Sequence, residues 1–197
     1  MRWTRAGAGC LAAAAIAAFI YSLTVSPTVG AGDSGELILA AQSLGIPHPP
    51  GYPLWVLLAR VATLAPLGPV ALRVNALSVA LAALAAGLFY LLAARSGLPR
   101  GPRALATGLF SGSTLVWGSA VQAEVYSLAS AAFALLGLAA LNARSRRTAS
   151  ARADALYFFI AGLSLLVHQT LLFPAANVKD VGDIPEDVRS RLEMVPV

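Results

Sequence analysis

Residues 54–65 read L-W-V-L-L-A-R-V-A-T-L-A, bounded by Pro53 and Pro66. As a helix these 12 residues extend about 18 Å at ~1.5 Å per residue. A bilayer core is about 30 Å thick, so the segment is too short to cross, and Arg60 sits in its middle. Whether it crosses decides the topology of everything after it.

Around it lie five longer apolar runs, at about 8–26, 74–94, 104–120, 124–142 and 155–176. Each approaches the roughly 20 residues of a spanning helix. The arginines test the arrangement. If 54–65 does not cross, Arg2, Arg5, Arg95, Arg100, Arg103, Arg144, Arg146, Arg147 and Arg152 all fall on one side, the cytoplasmic side by the positive-inside rule. If it crosses, the 95–103 cluster moves to the other side. The sequence therefore predicts five spans, a cytoplasmic N-terminus in a bacterial-type inner membrane, and an interfacial or re-entrant 54–65. No small-x-small cleavage site follows the first run, so it reads as a span rather than a cleaved signal.

Composition agrees. The 197-residue chain is 58% apolar and only 12% charged, with mean hydropathy +0.74. A soluble domain is about a quarter charged, so a soluble globular domain and a disordered chain are both excluded. Arginine supplies 13 of the 14 basic residues. None lies between Arg5 and Arg60, so the sequence pI of about 10.0 reflects topology and not a nucleic-acid face. One cysteine, Cys10, allows no internal disulfide.

With this topology, loop 27–53 and the turn near 117–124 face outward. The first 177 residues hold four acids, Asp33, Glu36, Glu124 and Asp154. The first three are outer, as are both histidines, His48 and His168. Arg73 and Asn75 stand where the second span begins. Acid–base chemistry thus gathers opposite the arginines. Leu37, Ile38, Ala41 and Leu44 recur at helical spacing, which predicts an interfacial helix over 33–44, with Asp33 as N-cap and Glu36 completing a capping box. Gly30, Gly32 and Gly35 match a dinucleotide fingerprint only formally. They follow an apolar span rather than a strand, and no acid lies about 20 residues downstream. They serve close backbone approach and a tight turn instead.

Pro47-His48-Pro49-Pro50-Gly51-Tyr52-Pro53 cannot be helical. It holds His48 and Tyr52 on a stiff corner, with a cis X-Pro bond among the options. Trp117 and Tyr126 read as interface anchors. Glu124 stands near a helix N-terminus, where the dipole favours an anion. His168 falls inside an apolar span, where an ionisable group suggests function and an interhelix hydrogen bond is the plain alternative.

The blocks P-T-V-G-A-G-D-S-G-E-L, L-G-I-P-H-P-P-G-Y-P-L and L-R-V-N-A-L-S, then W-G-S-A-V-Q-A-E-V-Y-S-L and G-L-S-L-L-V-H-Q-T, resemble in sequence and order the domain-of-unknown-function 2723 family. That family includes transmembrane protein 260-like protein O-mannosyltransferases, and the resemblance covers roughly residues 20–175. It implies an all-α polytopic membrane protein with a GT-C-like transmembrane bundle and interfacial helices in the first outer loop. It implies a GT-C type glycosyltransferase that moves a sugar, mannose in the named members, from a polyprenyl-phosphate donor to a Ser/Thr hydroxyl of a protein acceptor. Asp33 matches the family's acidic residue at the reaction centre. Glu36 is the alternative or helper, and Arg73 is the candidate for the donor phosphate. His48, Tyr52, Asn75, Glu124 and His168 are candidate substrate-site residues.

No cofactor is implied beyond the lipid-linked sugar as substrate. Two acids and a histidine in a loop are weak evidence for metal, and none is expected. Partners are membrane lipid, the lipid-linked sugar and a protein acceptor, with no nucleic acid; nothing sets an oligomeric state. A non-catalytic transporter or scaffold is the alternative, although a transporter would gather polar groups near the midplane. Family members are longer. Residues 178–197 turn abruptly polar, with five acids and three bases, and the chain reads as an N-terminal fragment of a truncated or frameshifted gene.

Overall fold

The computed structural model describes residues 2–144, 151–168 and 171. Among these residues it is all-helical. The helices are α1 (Arg2–Ser22), α2 (Ser34–Ser43), α3 (Pro53–Thr63), α4 (Val70–Arg95), α5 (Arg100–Gly112), α6 (Thr114–Ala120), α7 (Tyr126–Arg144) and α8 (Ala151–Leu165). By length and composition α4 is the one described helix able to cross a membrane. Shorter apolar helical stretches occupy Ala6–Ser22, Pro53–Thr63, Tyr126–Asn142 and Asp154–Leu165.

Helix α4 is the hub, and small residues make it so. A Cβ on Gly87 would lie 2.9 Å from the Cys10 carbonyl oxygen and 3.1 Å from Ala14 Cβ. The missing side chain therefore lets α1 approach backbone to side chain, as small residues do in packed apolar helices. Ala82, Ala83 and Ala86 bury against Ala17 and Tyr21 on the same seam. Gly137 of α7 receives Leu92 of α4 in a like manner, and α8 packs on α7 through Tyr157, Ile160 and Ala161 against Leu136 and Ala140. Gly9 against Tyr90 with Ala14 against Gly87 sets α1 antiparallel to α4, and Glu124 against Ser78 with Gly137 against Leu92 sets α7 parallel to it. Consequently the end of α1, the start of α4, the α6–α7 connection and the end of α8 meet at one end of the bundle.

Helices α2 and α3 close that end. Pro53 starts α3, where a missing N–H costs nothing. Arg60, anomalous in an apolar segment, donates to the Gln42 carbonyl near the end of α2 at 2.7 Å. A cation at the carbonyl-rich end of a helix is favourable. Trp55 is fully buried in an apolar cluster that also holds Leu37 and Ala41 of α2, Val74 of α4 and Val125 before α7.

Three predicted elements are corrected. The run 104–120 is not one helix. It breaks at Ser113, whose backbone turns extended (φ −64°, ψ 143°) and whose Oγ accepts the Val116 N–H. A serine N-cap after glycine-containing α5 restarts the helix. The run 155–176 ends as helix at Leu165, and Leu166 and Val167 follow in a turn that leads to His168; 169–170 and 172–176 lie outside the described residues. Leu44 does not extend the buried stripe of α2. It is exposed and ends the helix in a left-handed conformation, φ 54°. Arg146, Arg147 and the polar tail 178–197 also lie outside the described residues.

Candidate functional site

The segment before α2 is pinned residue by residue. Trp117 Nε1 donates to Thr24 Oγ1 at 3.1 Å, and the Ser26 N–H donates to the Val121 carbonyl at 2.8 Å. Asn75, wholly buried, donates through Nδ2 to the Ser26 and Thr28 carbonyls at 2.8 and 2.9 Å. The Ala31 N–H donates to Gln122 Oε1 at 3.2 Å. Gly30 lies so close to the Gln122 side chain that no Cβ fits, and Gly32 takes φ 63°. The glycines thus do what their spacing predicted, close approach and a turn, and they deliver Asp33 to the start of α2. Asn75 acts here through loop carbonyls.

The predicted capping box is absent. Asp33 occupies the N-cap position but in a helical conformation and makes no side-chain cap bond. Glu36 turns instead to the proline-rich corner, where Oε1 accepts the His48 backbone N–H at 2.7 Å and Oε2 accepts Nδ1–H at 2.9 Å. The bidentate grip on one residue outcompetes the box because a carboxylate facing two donors makes charge-assisted bonds. The corner that presents those donors contains a cis Pro49–Pro50 bond.

The other edge of His48 faces Tyr52 and Asp33, with Nε2 3.1 Å from Tyr52 Oη and 3.9 Å from Asp33 Oδ2. Tyr52 heads α3 in a left-handed conformation, φ 44°, which non-glycine residues rarely hold without surrounding constraint. Its ring meets His48 edge-on at 5.4 Å and stacks on His168 at 5.8 Å and 22°. His168 also lies 5.8 Å from the Tyr126 ring, and the Leu54 N–H donates to the Leu166 carbonyl. Distant in sequence, Asp33, Glu36, His48, Tyr52 and His168 therefore form one cluster.

Electrostatics bind Glu124 to the same cluster. Burial pushes its carboxyl above the ordinary range, and the charge of Asp33 adds to the shift. The side-chain hydrogen bond to His48 holds Glu36 below the ordinary range. The same bond raises His48, and the charges of Glu36, Asp33 and Glu124 reinforce it against desolvation. Burial raises Tyr52. Two residues that the sequence left unremarked fix Glu124. Trp55 Nε1 donates to its carbonyl at 3.1 Å, and its N–H donates to Ser78 Oγ at 3.4 Å. Nothing in the local sequence marked either one. Tyr126, read as an anchor, lines the site through His168.

Arg73 is not drawn into the cluster by any of these contacts. Its Nε donates to the Leu67 and Gly68 carbonyls, Nη2 to Gly68 and Nη1 to Thr63, so it ties the end of α3 to the start of α4. Asp33, Glu36 and His48 each offer one donor atom within 4.8 Å of the others. They are the residues able to hold a cation, which would have to displace the Glu36–His48 bonds. A cavity of about 390 Å³ lies elsewhere, between α1 and α5 over Tyr90, with an apolar lining and none of the acids or histidines.

An acid–histidine–tyrosine cluster thus gathers where the connecting segments meet at one end of a helical bundle. The chain belongs to a known family. The family model described as the protein O-mannosyl-transferase TMEM260 N-terminal domain matches residues 33–178, a range that contains all the cluster residues. A protein O-mannosyl-transferase TMEM260 from Mus musculus is 42% identical over 174 residues, 85% of this chain and 25% of its own length. A protein of the same name from Dictyostelium discoideum is 34% identical over 112 residues, 55% of this chain and 14% of its own length. The chain thus spans a quarter or less of these relatives. No solved structure matches it.

Proposed function

We propose that the chain forms the donor-side and base-bearing part of a GT-C type protein O-mannosyltransferase in a bacterial-type inner membrane. Mannose passes from a polyprenyl-phosphate donor to a Ser/Thr hydroxyl of a protein on the outer face. The observation that carries this reading is the Asp33 carboxylate, held by no cap bond, within a cluster from the matched family region. In the reaction the acceptor oxygen attacks the anomeric carbon, and Asp33 takes its proton as the bond forms. The bond from the anomeric carbon to phosphate oxygen breaks, polyprenyl phosphate leaves, and the configuration inverts. Arg73 is the candidate for the departing phosphate. A guanidinium has five N–H donors, and its present bonds leave one on each Nη free.

The membrane reading draws support from the exterior. Leu105 and Leu109 of α5 and Phe158 and Phe159 of α8 are all more than half exposed, in keeping with lipid-facing surfaces. On the five-span reading of the sequence, with the arginines cytoplasmic, the cluster falls on the outer side. Asp33→Asn is expected to abolish mannose transfer while preserving folding and membrane insertion. Transfer at the wild-type rate by that variant would remove Asp33 from the reaction centre.

A further inference from the structure

We infer that His48 is the positioning residue of this site. It is gripped on one edge by Glu36, and its other edge bonds Tyr52 and faces Asp33. The inference rests on the reading of Asp33 as base and assigns Glu36 a different task from that of a second base. Both carboxylate oxygens of Glu36 are spent on His48, one on the backbone N–H at 2.7 Å and one on Nδ1 at 2.9 Å. A proton taken up by Glu36 would cancel the charge that strengthens both bonds of the grip. Asp33 has no such bond and no cap bond, and its nearest ionic neighbour is His48 Nε2 at 3.9 Å.

The imidazole is held from several sides. Glu36 of α2 fixes Nδ1, Tyr52 at the head of α3 meets Nε2 and packs edge-on, and Pro47, Pro49 and Pro50 stiffen the chain on both sides. Asp33 before α2 and Glu124 before α7 add negative charge from two further segments, and His168 after α8 backs Tyr52. A carboxylate on Nδ1 requires the proton there. In the neutral ring Nε2 is then an acceptor for the Tyr52 O–H, and protonation of the ring supplies the charge that draws Asp33 toward it. A ring fixed in tautomer and angle by a carboxylate is a means of orienting neighbouring groups.

Two measurements test this. The chain has two histidines, so 15N-histidine NMR in lipid nanodiscs resolves both, with His168→Gln for assignment. Neutral His48 should show the Nδ1–H tautomer in the wild type. Glu36→Gln presents an amide NH2 to Nδ1 and should switch it to Nε2–H. An Nε2–H wild type, or no switch, would overturn the inference. The second measurement is transfer from polyprenyl-phosphate mannose to a serine-containing peptide. Asn at position 48 places its amide where Nδ1 was and retains the grip, but has nothing at Nε2. His48→Asn should therefore lose on the order of 10²-fold in kcat, as misplacement of a reacting group does, with donor KM unchanged. Wild-type kcat in His48→Asn would mean the grip is merely structural and would overturn the assignment. Absence of transfer by the complete enzyme that carries this region would instead sink the mannosyltransferase reading, and with it any role of His48 in that reaction. A failed tautomer switch in an active wild type would sink the inference alone.

Discussion

Replacing Trp55 with phenylalanine should destabilise the protein by about 3 kcal/mol, a figure that follows from two contributions. Trp55 is wholly buried, and its indole N–H is donated to the Glu124 carbonyl at 3.1 Å. Phenylalanine keeps an aromatic ring in the pocket but removes the donor. Leaving a buried acceptor unpaired costs ~1–3 kcal/mol. The smaller ring also leaves a void on the order of 40 Å³, which at ~24 cal/mol per Å³ costs about 1 kcal/mol. For a chain of this size ~3 kcal/mol lowers Tm by roughly 6–12 °C. Thermal unfolding in nanodiscs, followed by circular dichroism, reads it directly. Trp55→Ala is the upper bound, because loss of the whole ring costs ~3–5 kcal/mol. Should Trp55→Phe melt within about 2 °C of the wild type, the bond to Glu124 would not be a support of the site, and the account of how α3 holds the α6–α7 connection would fail. Ser78→Ala provides the contrast. Its bond to the Glu124 N–H is long, 3.4 Å, so its loss should cost clearly less than that of the indole donor.

Two further predictions follow from the seam and from the grip. Gly87→Leu places a side chain where even a Cβ lies 2.9 Å from the Cys10 carbonyl and 3.3 Å from Cys10 Sγ; α1 should be pushed from α4, with Tm lowered and Cys10 labelled faster by maleimide, and unchanged labelling would refute the close approach. The Glu36–His48 grip predicts a stability maximum in pH. Glu36, depressed below its ordinary 4.5, contributes stability present above 4.5 and lost as pH falls through the depressed value. His48, raised above its ordinary 6.5, contributes stability complete below 6.5 and lost as pH rises through the raised value. Both contributions are present together between 4.5 and 6.5, and Glu36→Gln should flatten both limbs of Tm against pH. Identical curves for the variant and the wild type would show that the grip contributes nothing to folding.

What could be read in the sequence, and what could not, divides along a physical line. Apolar runs and prolines announce helices because burial and backbone restriction act on whole segments. Pro53 and the shortness of 54–65 sufficed to separate α3 from the longer helices. Gly30 and Gly32 were legible because no other residue fits a close approach or a positive φ so cheaply. Hydropathy, however, averages over a window, whereas a helix end depends on one polar atom. Ser113 splits an apolar run with a single hydroxyl acceptor, and the run through His168 stays apolar after its backbone has left the helix.

The same distinction explains the site. Asp33 and Glu36 fit a capping box by spacing alone, yet spacing counts only local partners. The donors that win Glu36 lie twelve residues on and become available only because the proline corner folds back over α2. Arg73 was matched to a phosphate by its chemistry, but three carbonyls at the end of α3 and in the turn before α4 lie within its reach. The types of the chemical groups were therefore legible, together with the end of the bundle at which they gather. Their pairing was not, since it is set by competition among donors and acceptors that only the folded chain brings within 3 Å. That competition leaves Asp33 as the carboxylate of the first loop that is not tied to His48 by a short hydrogen bond.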